Sequence, residues 1–225
     1  MNKNPTSSRT IKIFLVDDHP LVRDMLSRLI HEEADLEVCG WADNTNEAKS
    51  AIERLKPDIV IIDIGLRGKS GLELTTFLID QDPETLILIL SMHDETVYAN
   101  RALKAGARGY VSKRETSETV IQAIRRILSG GMYISESLAQ ALAFDIGRNR
   151  KRVLADDVEL LSDRELEVFR LLAKGRETPQ IAVDLSVSVK TVQTYCARIK
   201  EKLNLQNSTE LLQAATRWLD AQNAG

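Results

Sequence analysis

The stretch Pro57-Asp58-Ile59-Val60-Ile61-Ile62-Asp63-Ile64-Gly65-Leu66 decides the fold. It is a β-branched apolar run that stops on an acid, with proline before it and glycine after it. Such a run reads as a strand buried on both faces, the kind parallel sheets use. A carboxylate at the carboxyl end of a buried parallel strand stands where open α/β sheets bind their ligands. Asp63 is therefore the candidate working carboxylate.

The neighbouring stretches repeat the pattern. Ile11–Val16 reads as a strand and runs into Asp17-Asp18-His19-Pro20. Leu21, Val22, Met25, Leu26, Leu29 and Ile30 then recur at helical spacing, so Pro20 opens an amphipathic helix. Leu36–Ala42 is a second strand and residues 46–55 a second helix. After the Asp63 strand, Leu72, Leu74, Phe77, Leu78 and Ile79 mark a third helix that Asp82-Pro83 closes. Leu86, Ile87, Leu88, Ile89 and Leu90 form a fourth buried strand ending at Ser91; residues 97–105 form a helix that Gly106 stops. Residues 109–112 are a short fifth strand ending at Lys113, and Ser117 is expected to cap a fifth helix through Leu128. Gly130-Gly131 halts it. Repeated βα alternation with apolar strands predicts an α/β fold, a five-stranded, doubly wound parallel sheet covered on both faces. No G-x-G-x-x-G or P-loop pattern follows a strand, which counts against a nucleotide site.

The totals bound the rest. The chain has 225 residues, enough for two domains, and is 43% hydrophobic but only 4% aromatic, so aliphatic packing dominates its core. A net charge of −3 with 28% charged residues describes an ordinary soluble protein and gives no global sign of nucleic-acid binding. Cys39 and Cys196 lie far apart and read as two reduced, packed thiols in a cytoplasmic protein. No run approaches membrane-spanning length, and residues 1–10 lack the apolar core of a signal peptide and read as a disordered lead-in.

In a parallel sheet the strand ends share one edge, so Asp17, Asp18, Asp63, Ser91 and Lys113 can converge. Clustered carboxylates repel one another and stay ionised together only when a hard divalent cation or a cation such as Lys113 offsets them. Mg²⁺ takes a few carboxylate and carbonyl oxygens, completed by water and phosphate oxygens. A carboxylate spared from ligation can attack a phosphoryl group, and the metal and lysine would neutralise the equatorial oxygens. Taken singly, each residue has a plainer reading as a helix-terminal acid, a strand end or a surface charge. Their ordered occurrence at the ends of four of the five strands makes that reading weak.

These residues, with Leu90-Ser91-Met92-His93-Asp94 and Ala105-Gly106-Ala107-Arg108-Gly109-Tyr110, resemble a two-component response-regulator receiver domain, a flavodoxin-like fold. The resemblance implies that Asp63 accepts phosphate from a histidine kinase. It implies Mg²⁺ ligation by Asp18, Asp63 and the Gly65 carbonyl, with Asp17 acting through water. It also implies that Ser91 moves toward the phosphoryl group and that Tyr110 senses the move. Two departures stand out: Leu66-Arg67-Gly68 has no proline, and Arg114, not proline, follows Lys113. His93 reads as a loop residue.

Beyond Gly130 the composition changes. Residues 135–144 fit one helix, and Arg148-Asn149-Arg150-Lys151-Arg152 reads as a solvated basic linker, with backbone-phosphate contact as the sharper alternative. From Leu161 every signal is helical. Ser162-Asp163-Arg164-Glu165 is a capping-box pattern feeding Leu166, Val168, Phe169, Leu171 and Leu172. Thr178-Pro179-Gln180 starts a short helix, Ser186-Val187 turns, and Ser188 caps a longer helix through Leu203. A last helix covers residues 210–218. A short helix turned tightly into a longer one is a helix-turn-helix. The outward face of the longer helix carries Lys190, Thr191, Gln193, Thr194, Ala197, Arg198, Lys200 and Lys202. Residues 186–202 hold four basic side chains against Glu201, a local +3 that suits a phosphate backbone. Gln193 and Thr194 are able to reach base edges.

Leu161-Ser162-Asp163-Arg164-Glu165, Lys174-Gly175, Ile181-Ala182, Ser188-Val189-Lys190-Thr191-Val192 and Lys202-Leu203 resemble the LuxR-type helix-turn-helix of NarL/FixJ regulators. That resemblance implies double-stranded promoter DNA as a partner and a last helix that pairs two such domains. Leu211, Leu212, Ala215 and Trp218 can supply that face or close the domain core. The expected organisation is a lead-in over 1–10, a receiver domain over 11–130, a linker with one helix over 131–157 and the all-α DNA-binding domain over 158–225. The expected function is a DNA-binding transcriptional regulator, not an enzyme, that dimerises on phosphorylation of Asp63. The alternatives are an aspartate-dependent phosphohydrolase, which Gly65 disfavours by standing where such enzymes place a second acid, and a phosphate-independent receiver-like regulator.

Overall fold

The computed structural model describes residues 9–66, 70–92, 95–136, 138–140, 158 and 160–223. The chain divides into two compact units, Met1–Asp145 and Ile146–Gly225. None of the described helices is long and apolar enough to cross a membrane.

The first unit is built on a five-stranded sheet of β1 (Ile11–Val16), β2 (Leu36–Ala42), β3 (Ile59–Ile62), β4 (Leu86–Ser91) and β5 (Gly109–Ser112), in the order β2-β1-β3-β4-β5. Every described pairing is parallel. Five helices alternate with the strands: α1 (Pro20–His31), α2 (Thr45–Leu55), α3 (Gly71–Gln81), α4 (Glu95–Lys104) and α5 (Ser117–Leu128). β3 takes the centre because its four residues are all apolar and all buried. Each such isoleucine or valine contributes roughly 1.5–3 kcal/mol by leaving water. Alternation assigns the two faces. Ile13, Leu15, Ile59, Ile61, Leu88 and Leu90 cluster with Leu26 and Ile30 of α1 and with Ala123, Ile124 and Ile127 of α5. Phe14, Val60, Ile62, Ile87, Ile89 and Tyr110 have the other parity and are also buried.

Several element starts differ from expectation by one or two residues. α2 begins at Thr45, where Asn44 accepts from the Asn46 and Glu47 amides. α4 begins at Glu95. The cap of α5 is Thr116, whose hydroxyl accepts from the Thr119 amide, and not Ser117, which is the first helical residue. Of the expected lead-in, Arg9 is tied to Asp58 at 2.8 Å and residues 1–8 lie outside the described residues. So do Arg67 and Gly68 beside Asp63, His93, the basic run 148–152 and most of the helix expected over 135–144. Where that helix is described, Ser135 Oγ accepts from the Leu138 amide as a cap, and Leu138 is buried.

The second unit has four described helices: α6 (Asp163–Ala173), α7 (Thr178–Asp184), α8 (Val189–Lys202) and α9 (Ser208–Asn223). The capping box at Ser162 is complete, with Glu165 N–H donating to Ser162 Oγ and Ser162 N–H donating to Glu165 Oε2 at 2.7 Å. Gly175, at φ +76°, ends the first helix in a backbone region that disfavours a Cβ. α9 is longer than residues 210–218 on both sides. Its start is fixed by a reciprocal pair: Glu210 N–H donates to Asn207 Oδ1, and Asn207 Nδ2 donates to Glu210 Oε1. Leu211, Ala215 and Trp218 are buried, with the Trp218 ring 5.8 Å from that of Phe169. These three close the core of the helical unit, while Leu212 is exposed.

Candidate functional site

The strand order reverses between β1 and β3, since β1 leads outward to β2 while β3 leads to β4. Crevices at such a switch point, outside the carboxyl ends of the strands, are where open α/β sheets bind ligands. Val16 pairs with Ile62, and the Asp63 amide donates to the Val16 carbonyl at 2.8 Å. Asp17 and Asp63 therefore emerge side by side. A second contact holds Asp63 from below. Gly71, the first residue of α3, donates its amide to the Ile64 carbonyl, and a Cβ at Gly71 would stand 1.9 Å from the Asp63 carbonyl oxygen. Only glycine lets the helix start this close.

Lys113 reaches the same place from β5. Its amide donates to the Ser91 carbonyl at 2.9 Å, and its ammonium lies 2.6 Å from Asp17 Oδ2 and 2.8 Å from Asp63 Oδ2. All three side chains are about 5% exposed or less. Burial pushes the Asp63 carboxyl above its usual value, and the Asp17 charge adds to this; the Lys113 charge and hydrogen bond and the Gly65 amide pull the other way. One ammonium thus serves both the Asp17 and the Asp63 carboxylates, with the Asp18 carboxylate beside His19 in the same cluster.

His19 is part of the same cluster. Its amide donates to Asp17 Oδ1 at 2.8 Å, and its Nδ1 stands 2.8 Å from Asp18 Oδ1 and 4.0 Å from Asp63 Oδ2. Ligand atoms of Asp17, Asp18, His19 and Asp63 all lie within 4.8 Å of one another. Two oxygens on one octahedral Mg²⁺ stand about 2.9–4.2 Å apart, given metal–oxygen distances near 2.1 Å. Three carboxylates so grouped supply the hard oxygen donors that a divalent cation takes. Arg23 braces it from α1, donating to the Asp17 carbonyl at 2.6 Å while its guanidinium lies 4.2 Å from the Trp41 ring centroid. Neither His19 nor Arg23 was singled out from sequence, because a histidine beside two aspartates and an arginine on an amphipathic helix carry no distinguishing spacing. Ser91 is fully buried at the end of β4, and Tyr110 is 1% exposed.

The helical unit presents a second site. α7 passes into α8 through Ser186, at φ +53°, and the Val187 amide donates to the Ala182 carbonyl. Ser188 Oγ then accepts from the Thr191 amide at 3.0 Å and caps α8. Lys190, Gln193, Thr194, Ala197 and Arg198 are exposed; Thr191 and Lys200 are half-buried. Lys202 departs from expectation. Its ammonium lies 2.7 Å from Glu165 Oε2 and 3.1 Å from the Leu160 carbonyl, so it faces the N-terminus of α6. The outward charge of this face is correspondingly smaller than the count over residues 186–202. Beside this clamp, Arg164 and Glu167 form a buried ion pair at 2.6 Å.

Comparison with known proteins identifies both domains. The family profile "Response regulator receiver domain" matches residues 13–125, and "Bacterial regulatory proteins, luxR family" matches residues 159–215. The oxygen regulatory protein NreC of Staphylococcus aureus is 37% identical over 209 residues, covering 91% of this chain and 96% of NreC. A LuxR-family two-component response regulator from Aurantimonas sp. SI85-9A1 shares 37% identity and a TM-score of 0.58 over 62% of this chain and 99% of that one. RcsB of Salmonella enterica serovar Typhimurium, solved on the rprA promoter with BeF3⁻, has a TM-score of 0.59 at 22% identity and covers 92% of this chain and 99% of its own, a likeness of fold. A five-stranded parallel sheet followed by a helix-turn-helix agrees with both profiles: the chain belongs to the two-component response regulators that join a receiver domain to a LuxR-type DNA-binding domain.

Proposed function

We propose that Asp63 is the phosphoryl acceptor of this regulator and that its state controls promoter binding by the helical unit. The carrying observation is the Lys113 ammonium shared between Asp17 and Asp63 at 2.6 and 2.8 Å. In the transfer, an Asp63 carboxylate oxygen attacks the phosphorus of a phosphohistidine on a histidine kinase. The P–O bond forms as the P–N bond breaks, and the leaving imidazole nitrogen takes up a proton. Lys113 is placed to offset charge on the phosphoryl oxygens. Asp18, Asp63 and the Gly65 carbonyl hold Mg²⁺, with Asp17 acting through water. When bound, that ion neutralises phosphoryl oxygens and positions them. Ser91 donates to the phosphoryl group, and Tyr110, on the neighbouring strand β5, responds to the shift of Ser91.

The receiver, over 11–130, then acts as a two-state element whose populations the phosphate moves. Residues 131–157 link it to the DNA-binding domain over 158–225. The phosphorylated form pairs as a homodimer and places two recognition helices in successive half-sites of cytoplasmic promoter DNA. Lys190, Thr191, Arg198 and Lys200 contact the backbone, and Gln193, Thr194 and Ala197 face base edges. The protein is a switch and not a turnover enzyme: Gly65 offers Asp63 a backbone amide where a hydrolase needs an acid.

Acetyl phosphate with Mg²⁺, read by intact mass, tests the first step. The wild type should gain one phosphoryl group and Asp63→Ala none. An adduct that persists in Asp63→Ala, or no adduct on the wild type, would overturn the assignment.

A further inference from the structure

The three outward residues of α8 that face base edges in the proposed function have a chemistry that selects among bases. Gln193 and Ala197 lie one helical turn apart, and Thr194 lies three residues before Ala197, so the three form one patch. All are exposed. Among the described residues the Gln193 amide has no hydrogen-bond partner, so both its donor and its acceptor are open. Thr194 Oγ1 donates to the Lys190 carbonyl at 3.0 Å. That bond uses the only proton of the hydroxyl and turns the oxygen back onto its own helix. What Thr194 then offers a partner is chiefly its methyl group, and Ala197 offers another. The patch is thus one carboxamide beside two methyls, with no guanidinium or ammonium inside it.

In the major groove, adenine presents N7 as acceptor and N6–H₂ as donor, the complement of a carboxamide. Thymine presents its C5-methyl, which alanine and threonine methyls contact. Guanine presents two acceptors, N7 and O6, which call for arginine or lysine. Lys190 and Arg198 flank the patch as cations suited to the phosphates on either side.

We propose that Gln193, Thr194 and Ala197 read adjacent A·T pairs in each half-site, the carboxamide taking adenine and the two methyls taking thymine C5-methyls. This rests on the DNA-binding reading above and deepens it by naming the bases.

The test uses the full chain with acetyl phosphate and Mg²⁺ and selection from random duplexes at low salt. Selected half-sites should share A·T pairs at the contacted positions. Replacing those thymines by uracil removes only the methyl and should weaken wild-type binding about fourfold per methyl, the value of one buried carbon. Thr194→Ser keeps the hydroxyl and loses the methyl, so its own thymine should no longer show the uracil penalty; Thr194→Val should retain it. Gln193→Ala should lose discrimination for adenine by roughly fivefold or more. Equal binding of thymine and uracil sites by the wild type, G·C pairs selected at these positions, or the same preference in Gln193→Ala would each overturn the assignment. Steep salt dependence without any methyl dependence overturns it while leaving DNA binding intact. No retention of any duplex at low salt overturns both.

Discussion

Lys202 Nζ stands 2.7 Å from Glu165 Oε2, an ion pair that fastens the last turn of α8 to the capping box at the start of α6. The two partners are unequal: the Glu165 side chain is 3% exposed and that of Lys202 38%. Removing the lysine leaves a buried carboxylate short of a donor; removing the carboxylate charge leaves an ammonium that water can reach. Lys202→Met should therefore destabilise the helical unit by about 1–3 kcal/mol, and Glu165→Gln by less. Urea unfolding in a Trp41→Phe background checks this, because Trp218 is then the sole tryptophan and reports on the helical unit.

The same pair sets a pH dependence. Burial pushes the Glu165 carboxyl up, but the Lys202 hydrogen bond and charge, with the Ser162 amide and hydroxyl, outweigh burial and hold it below the ordinary carboxylate value. A group with a depressed folded value lends stability that is full above its unfolded value and lost as pH falls through the folded one. The gap in urea midpoint between wild type and Glu165→Gln should thus be widest near neutrality and close in acid. A gap independent of pH would mean that Glu165 acts through packing alone.

Asp63 carries the opposite sign. Its carboxyl is raised by burial and by Asp17, so its charge costs stability that Lys113 only partly offsets. In EDTA, Asp63→Asn should melt above the wild type. On the proposed ligation by Asp63, Mg²⁺ should reverse the order: the wild type gains about 1.4 kcal/mol at ten times its dissociation constant and the variant gains less. Equal Mg²⁺ shifts in the two proteins would remove Asp63 from the cation site. Trp41 fluorescence gives a second readout, because Arg23 joins that ring to the Asp17 carbonyl.

Two glycines make a matched test of what positions Asp63. A Cβ at Gly71 would lie 1.9 Å from a backbone carbonyl oxygen, whereas at Gly130, φ +84°, it would meet nothing within 4 Å. Gly71→Ala should cost roughly 1–3 kcal/mol by overpacking and should also slow phosphoryl uptake, since the strained atom belongs to Asp63. Gly130→Ala should cost about 1–2 kcal/mol of backbone strain and leave uptake unchanged. Intact-mass time courses with acetyl phosphate separate the two.

What sequence revealed and what it hid divide along physical lines. β3 and β4 were legible because a strand buried on both faces must be apolar throughout, and Asp63 and Ser91 were legible because they break those runs. The convergence of Asp63 with Asp17 and Lys113 followed from parallel topology alone. The Gly71 contact was hidden, since close approach of two backbones leaves no periodic trace. So was Tyr133, whose amide donates to the Arg108 carbonyl and whose carbonyl accepts from Tyr110, adding one bridge to the edge of β5. The α5 cap was misplaced by one residue because Thr116 and Ser117 are both able caps, and only the geometry of the turn chooses Thr116. Lys202 read as outward from helical spacing; its true direction depends on Glu165, thirty-seven residues away in the chain.

That distance in sequence gives the DNA-binding face its sharpest test. Each lysine or arginine that neutralises a phosphate releases counterions, so its loss lowers the slope of log affinity against log salt by about 1. Arg198→Ala and Lys200→Ala should each show that drop, because neither side chain has an acidic partner among the described residues. Lys202→Met should weaken binding through the position of α8 while leaving the slope near wild type, because its ammonium is already committed to Glu165 and the Leu160 carbonyl. Fluorescence anisotropy on one duplex across a salt series, well below the unfolding midpoint, reads all three. A slope change for Lys202→Met equal to that for Lys200→Ala would mean that the Glu165 pair opens on DNA and that the lysine touches phosphate after all.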